Sequence, residues 1–573
     1  MLFNINKQKS LALLQMTAAI FILLSPSVIG MLPVSTGIYL MFFIFWALLS
    51  IRIKTTQRVH FSINHIIYLF IAVYGIISSI WASNREGHLL YIFALCILMA
   101  FHSLTTDYFT ENPSEGIKRR LLYLLSISGV LCAVFNIFYW IICVVPVAGS
   151  TAFNQGLGTN DFLAVFMLFC ISCTVILLKD NSKLRKVVFV IAILTMFFVF
   201  VMAKSVAAWI FAAFFIIILI LKGTVKSQKS FVVISTGCVV LFVIGIIFML
   251  SSGVPGKALK DVFFYSINNP FGTGGGFWSG RELFSSARYS QTLGVGVFAY
   301  LFAASGIFGI ICCVCILLRC LMLFLKLKTL ESIISLFLCA AIMFLPFGGN
   351  LMVVLFWAGI NAYNEHVAGM NFRVQIKNKT LEKSVYIITV LLIISFMLFA
   401  QTLVRISADT AYKNKNYASA FSMYKAVATI NWSDSESCRK MVQIMRKSGN
   451  IQNQRDEAVR IIDNAIKRDR DNLHNFKEKA LVYDACGEFE LSAQQYRIAS
   501  QKALRKDDYN LLLVKELYKI VEKYPKGSSE TKRAYEEIVS IAQLTENLDY
   551  RKEINDIADK AFKFTKGELS GEE

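Results

Sequence analysis

Apolar blocks of about twenty residues alternate with short polar turns over roughly the first 400 residues of the chain. A helix of about 20 apolar residues is long enough to cross a bilayer. The pattern therefore predicts an all-α chain in which residues 1–403 form a polytopic membrane helical bundle of about 12–13 spans. The predicted spans are 11–30, 33–50, 62–81, 88–104, 121–147, 161–178, 187–203, 205–221, 231–250, 292–318, 332–347, 350–364 and 384–402.

Basic residues mark every second turn between these spans. Lys and Arg gather on the cytoplasmic side of membrane helices, so these turns are predicted to be cytoplasmic. The opposite, outer side then receives the turn at Lys204, the loop 251–291 and the whole tail after Leu403. The formal net charge of +20 follows largely from this topology, and we expect no nucleic-acid partner. The basic clusters lie at 7–9, 52–58, 118–120, 179–186, 222–229, 326–328 and 373–383.

The tail, residues 404–573, is charged and helical in pattern, and it contains a repeat. One block of four positions occurs three times, with its last two copies 34 residues apart, and the motif resembles the tetratricopeptide repeat (TPR). That resemblance implies a TPR-like domain that binds a peptide or another subunit, and the predicted topology makes this domain extracytoplasmic. A simple helical bundle is the alternative, and pairing of Cys438 with Cys486 stays open. The blocks are Tyr417-Ala420-Tyr424-Val427, Arg455-Ala458-Ile462-Ala465 and Phe489-Ser492-Tyr496-Ala499.

The loop 251–291 is the longest polar interruption of the apolar part. It carries the cations Lys257, Lys260, Arg281 and Arg288 and a glycine-rich turn at 272–276. Arginine grips phosphate in a bidentate manner, and glycine lets main-chain amides approach an anion closely. The loop therefore fits a diphosphate, while phospholipid headgroups or plain solvation remain alternatives. Lys257, Lys260, Gly274 and Gly275 are the predicted substrate contacts of this loop.

Three further features lie on the predicted outer side. Asn160 and Asp161 end a Gly/Asn-rich turn and begin a helix, where Asp161 is either a cap or a functional acid. Lys204 lies at the tip of a helical hairpin and either contacts substrate or extends to the lipid headgroups. His88 is the only histidine on the outer side of the membrane part, and its placement at a helix start favours a structural role.

Five short motifs follow one another within residues 150–365, namely GLGTNDFLA, AKSVAAW, NPFGTGGG, SQTLGVGVFAYLFAASGIFGI and LMVVLFWAGI. Taken in order, they resemble the O-antigen ligase/polymerase superfamily of bacterial membrane glycosyltransferases. Three positions depart from the family pattern. Tyr289-Ser290-Gln291 stands where ligases carry a histidine. Val206 stands where the family has an arginine after the hairpin serine. The arginine that the family carries upstream of Asn-Pro has only Lys257 and Lys260 as candidates.

The resemblance implies polymerisation of undecaprenyl-diphosphate-linked repeat units into surface polysaccharide, on the outer face of a bacterial inner membrane. Arg281 and Arg288 are the predicted diphosphate grips, with Lys204 as a third cation. Asp161 or Glu282 would orient or deprotonate the acceptor hydroxyl. No metal-ligand spacing is visible on the outer side, so the sequence predicts a metal-independent reaction without a cofactor.

The missing histidine favours a polymerase over a ligase of lipid core. The repeat tail, in contrast, favours a protein O-oligosaccharyltransferase, in which a protein Ser or Thr is the acceptor. The expected partners are therefore the lipid-linked glycan, membrane lipid, and a protein partner or acceptor on the tail. A transporter would favour charged residues at mid-span depth, whereas the ionisable residues of this chain collect at span ends.

Overall fold

The architecture is all-helical, as the sequence predicts, with one small two-stranded ribbon. This computed structural model describes residues 34–111, 115–141, 160–178, 183–205, 208–213, 262–275, 297–344, 351–375, 378–449, 451–503, 506–545 and 548–566, and scattered positions between 216 and 244. The first predicted span, 11–30, lies outside these residues.

The chain forms two compact units. Unit 1 comprises Met1–Ile80, Leu90–Thr273 and Thr292–Ala400, and unit 2 comprises Trp81–Leu89, Gly274–Gln291 and Gln401–Glu573. The short segment Trp81–Leu89, from the apolar part of the sequence, thus belongs with the tail.

Apolar helices make up the described part of unit 1, and two of them, α3 and α10, continue into unit 2. In chain order the elements are α1 (Val34–Thr56), β1 (Arg58–Phe61), α2 (Ile63–Ser78), α3 (Arg85–Glu111), α4 (Glu115–Tyr139), α5 (Asn160–Leu178), α6 (Lys183–Met202), α7 (Val297–Leu327), α8 (Leu330–Phe344), α9 (Leu351–Val367), β2 (Phe372–Gln375) and α10 (Asn378–Lys413).

Five of the described helices are long and apolar enough to cross a membrane. Their apolar stretches are Thr36–Lys54, Arg85–Thr110, Lys183–Met202, Val297–Leu327 and Lys383–Lys413. Shorter apolar helices include Ile63–Ser78 and Leu163–Leu178. Several apolar side chains of α6 point outward, and Leu184 among them is 77% exposed.

The ribbon pairs two short segments that are far apart in sequence. Strand β1 runs antiparallel to β2, with Phe61 opposite Phe372, and the two rings stack with their centroids 6.3 Å apart. The all-α prediction missed it, because four residues of alternating pattern are too short to identify a strand.

Amphipathic helices of 13 to 19 residues form the rest of unit 2. Each packs on the next along the chain, from α11 through α18. They are α11 (Tyr417–Ile430), α12 (Ser435–Lys447), α13 (Arg455–Arg468), α14 (Leu473–Ala485), α15 (Phe489–Lys502), α16 (Lys506–Lys523), α17 (Ser529–Leu544) and α18 (Leu548–Lys566).

The three repeat blocks occupy equivalent places in this array. Tyr417, Arg455 and Phe489 are the first residues of α11, α13 and α15. The small residue three positions later is fully buried in each helix, since Ala420, Ala458 and Ser492 are each 0% exposed. Small side chains at these points let neighbouring helices pack closely, which is the physical basis of the repeat pattern. Cys438 and Cys486 are free thiols.

Candidate functional site

The glycine-rich turn of the loop 251–291 docks into a break in helix α7. In a regular helix the Ile307 amide would donate to the carbonyl of Ala303, four residues earlier. Here the Ile307 amide donates to Pro270 at 2.9 Å, and the Ala303 carbonyl accepts from the amide of Thr273 at 3.0 Å. The loop therefore replaces one internal hydrogen bond of α7 with two of its own.

Glycine is required on both sides of this contact. Gly306 has φ of 60° and ψ of −143°, outside the helical region. A Cβ added to Gly306 would lie 1.9 Å from the Pro270 carbonyl oxygen, and one added to Gly272 would lie 2.4 Å from that of Ala304. The two backbones approach so closely because neither residue has a side chain.

Two tyrosines brace the same turn in unit 1. The Tyr74 hydroxyl donates to the carbonyl of Phe271 at 2.5 Å, and the Tyr265 hydroxyl donates to the Thr273 hydroxyl at 3.0 Å. The turn is thus fixed by side chains as well as by backbone hydrogen bonds.

In unit 2 the next glycines of the turn contact His88. The Gly275 amide donates to Nδ1 of His88 at 2.9 Å, and the histidine is 2% exposed. A Cβ on Gly274 would lie 2.7 Å from that of Ala82. Because the Gly275 amide is bonded to His88, it serves packing of the turn in this structure. The structural role expected for His88 agrees with this contact.

Lys204 lies at the turn that follows α6. Its φ of 50° is left-handed, its side chain is exposed, and the Ser205 hydroxyl accepts from the Ala208 amide at 3.0 Å. Ala203 and Lys204 form a turn, and Ala208 lies in a helical segment, which fits the predicted hairpin.

The other predicted site residues have no described side chains. Asn160 and Asp161 begin helix α5, as predicted, and their backbone alone is described. Lys257, Lys260, Arg281, Glu282 and Arg288 lie outside the described residues.

In unit 2 the start of α3 and the residues just before it are held by residues of the tail. Nη1 of Arg405 is 3.0 Å from Oε1 of Glu86 and 3.6 Å from Oδ1 of Asp434. The amide of Arg470 donates to the carbonyl of Ser83 at 2.9 Å. Sequence analysis missed this contact, since Glu86 and Arg405 are more than 300 residues apart.

A polar cavity of about 460 Å³ lies beside this contact. It is lined by charged and polar residues from the start of α3 and the residue before it, the end of α10, α12 and the turn between α13 and α14. The lining residues are Asn84, Glu86, Arg405, Asp409, Tyr412, Lys413, Ser435, Glu436, Lys440, Asp469 and Asn472. Such a mixed-charge lining suits a polar or charged ligand better than an apolar one.

A second ionic cluster is buried in unit 1. Oε1 of Glu365 accepts from Nδ2 of Asn64 at 3.0 Å and lies 3.4 Å from Nε of Arg319. Oε2 of Glu365 is 2.9 Å from Nε2 of His102. The side chains of Glu365 and His102 are 0% exposed.

The sequence signal for this cluster was present but went unused. Asn64, His102, Arg319 and Glu365 are polar residues of predominantly apolar helices. A polar residue in such a helix is expected to face a polar partner inside the bundle. Within the part of the chain that the structure describes, no group of three or more His, Cys, Asp or Glu forms a metal-binding arrangement.

Comparison with known proteins adds little to this geometry. No protein-family model matches the chain, and no curated protein matches it. Among solved structures the chain is similar to the crystal structure of yeast Tom70, with 10% identity and a TM-score of 0.26, over 81% of this chain and 95% of that one. A similarity of that size identifies neither a shared family nor a shared activity.

Proposed function

We propose that this chain is a bacterial membrane glycosyltransferase that polymerises polyprenyl-diphosphate-linked oligosaccharide units on the outer face of the membrane. One observation carries the proposal. The NPFGTGG turn and the SGIFG segment of α7, two motifs of the family resemblance that are about 30 residues apart in sequence, exchange backbone hydrogen bonds. Because each motif supplies the hydrogen-bond partners of the other, their contact gives a physical reason for both motifs to occur in one chain.

A membrane location is supported by the apolar helices. Five described helices are long enough to span a bilayer. On α6 the outward side chains Val187, Ile191 and Leu194 are each more than half exposed. Such a surface is unfavourable in water and favourable in lipid.

The proposed reaction forms a glycosidic bond between the donor's anomeric carbon and an acceptor sugar hydroxyl. The bond to the diphosphate breaks, the hydroxyl loses its proton, and polyprenyl diphosphate leaves. Negative charge develops on the leaving diphosphate, so fixed cations lower the barrier. Arg281, Arg288 and Lys204 are the proposed cations, and Asp161 or Glu282 is the proposed base.

The acceptor distinguishes this proposal from its nearest alternative, a protein O-oligosaccharyltransferase with the same donor. The polar cavity of unit 2 is the observation that favours the alternative. In both proposals the tail is a TPR-like array, and arrays of paired helices bind peptides along such surfaces. A ligase to lipid core is the third acceptor choice.

A reconstituted assay tests the proposal. The purified chain in proteoliposomes is given a lipid-linked oligosaccharide, either alone or with an acceptor peptide, and products are resolved by size. We expect a ladder of lengthened lipid-linked glycans, which Arg288→Ala abolishes and the exposed tail variant Arg551→Ala leaves intact. Glycosylated peptide without a ladder would favour the alternative, and no transfer to any acceptor would refute both.

A further inference from the structure

The turn between α11 and α12 exposes two large apolar side chains. Ile430 is 55% exposed and Trp432 is 60% exposed. Their neighbour Asn431 is buried, and its Oδ1 accepts from the Ser433 amide at 3.0 Å. An exposed tryptophan in a charged, water-soluble helical array is unusual, because its ring removes a large apolar area from water when covered.

One arginine makes this turn rigid. Nη1 of Arg468 donates to the carbonyl oxygens of Asn431 at 3.2 Å and Asp434 at 2.8 Å. Nη2 of Arg468 donates to the carbonyl of Ala428 at 3.1 Å. The exposure of Trp432 is therefore a property of a fixed turn and not of a loose loop.

The same tryptophan contacts the first residue of an apolar helix. The Arg85 guanidinium carbon lies 5.8 Å from the centroid of the Trp432 ring. Arg85 begins α3, and its apolar stretch runs from Arg85 to Thr110. Trp81, just before it, is 39% exposed. Two tryptophans thus flank the polar end of a helix long enough to span a bilayer.

The position of that end determines which partner fits. A spanning helix places its terminal arginine at the level of the lipid headgroups, where tryptophan also accumulates. Arg85 and the exposed Arg470, whose amide bonds to Ser83, supply positive charge for lipid phosphates. Apolar rings, aliphatic side chains and arginines together match the headgroup layer better than a water-filled space.

We infer that Ile430, Trp432 and Trp81 form a lipid-contacting patch that seats the first helical pair of the tail in the headgroup layer of the bilayer. The inference rests on the membrane location in the proposed function and is independent of the glycosyl transfer. It assigns the tail a surface for the membrane itself, separate from its polar cavity.

Tryptophan quenching by brominated lipids tests the patch. The full chain is reconstituted at one copy per nanodisc, so that a second copy cannot cover the surface. The emission of Trp432 is obtained as the difference between the wild-type chain and Trp432→Phe. We expect bromines near the headgroup end of the acyl chains to remove most of this difference, and bromines near the chain ends to remove less. Trp357→Phe is the matched control, because Trp357 is 3% exposed.

Other outcomes separate the two proposals. If the chain is integrated in the membrane but neither brominated lipid changes the difference emission, the lipid-contacting patch is wrong and the proposed function still stands. This holds whether or not acrylamide quenches that emission. A chain that alkaline carbonate extracts from membranes overturns both. Unchanged thermal unfolding of Trp432→Phe shows that the variant reports contact and not misfolding.

Discussion

The amide of Ile307 donates to the carbonyl of Pro270, across about 37 residues of sequence, and not to the carbonyl of Ala303 one turn below it. The backbone of α7 is thereby shared with the loop 251–291. Buried backbone groups need hydrogen-bond partners. The Ile307 amide and the Ala303 carbonyl, which would bond to each other in a regular helix, each bond to the loop instead. The stability of α7 at this point consequently depends on the loop.

We predict that Gly306→Ala undocks the turn. The residue needs a backbone conformation that alanine adopts at a cost on the order of 1–3 kcal/mol, and its Cβ would lie 1.9 Å from the Pro270 carbonyl oxygen. Thermal unfolding of the full chain in detergent should shift downward, and glycan transfer should fall with it. Gly359→Ala is the control, because its nearest neighbour is a Phe101 ring atom at 3.7 Å. Equal unfolding temperatures for the two variants would contradict the docking account.

Removing one partner of the buried cluster in unit 1 should destabilise the chain strongly. Glu365→Gln keeps the side-chain shape but leaves the Arg319 guanidinium, whose side chain is 4% exposed, without its counter-charge. Uncompensated buried charges cost about 3–5 kcal/mol. Replacing both residues, as in Glu365→Leu with Arg319→Leu, should recover part of that loss, because it removes both charges while Asn64 and His102 lose a hydrogen-bond partner. Denaturation of the two variants side by side checks the ordering, and a double variant less stable than the single one would refute it.

The contact between Glu86 and Arg405 should show energetic coupling. Arg405→Met removes the ion pair at 3.0 Å and leaves both Glu86 and Asp434 without the Arg405 guanidinium. Glu86→Gln, in contrast, leaves Arg405 paired with Asp434. Residues in one ionic network couple by about 0.5–3 kcal/mol. A double-mutant cycle on the full chain measures this value. A coupling energy of zero would mean that the pair does not hold the segment 81–89 to the tail.

The stability of the tail should fall in mild acid because of His474. Burial, together with the positive charge of Arg439, lowers the pKa of His474 from 6.5 to about 4. The unfolded chain therefore binds a proton first as pH falls, and the folded tail loses stability between pH 6.5 and about 4. For this partly exposed ring we expect a loss of about 1–2 kcal/mol. His474→Gln should flatten this part of the stability curve, and parallel curves would assign the acid sensitivity elsewhere.

Local pattern was sufficient to predict a helical repeat in the tail. The blocks that lie in α11, α13 and α15 could be identified because small side chains recur at the same buried positions, as Ala420, Ala458 and Ser492 do. The hairpin at Lys204 followed from a single polar interruption between two apolar runs. Each of these features depends on residues within a few turns of one another.

Contacts between distant segments could not be predicted in the same way. The ribbon joins Phe61 to Phe372, and no local property of either tetrapeptide specifies the other. The glycine-rich turn was predicted to bind an anion, which glycine permits, but glycine equally permits the backbone of α7 to approach. Tertiary packing decides whether such a glycine contacts an anion or another segment of backbone.

The contact of Glu86 with Arg405 also constrains the order of events during synthesis. Glu86 leaves the ribosome more than 300 residues before its guanidinium partner. The ion pair therefore forms only after about two thirds of the chain has been made. A chain that terminates before Arg405 lacks the cation that pairs with the acid in the first turn of α3.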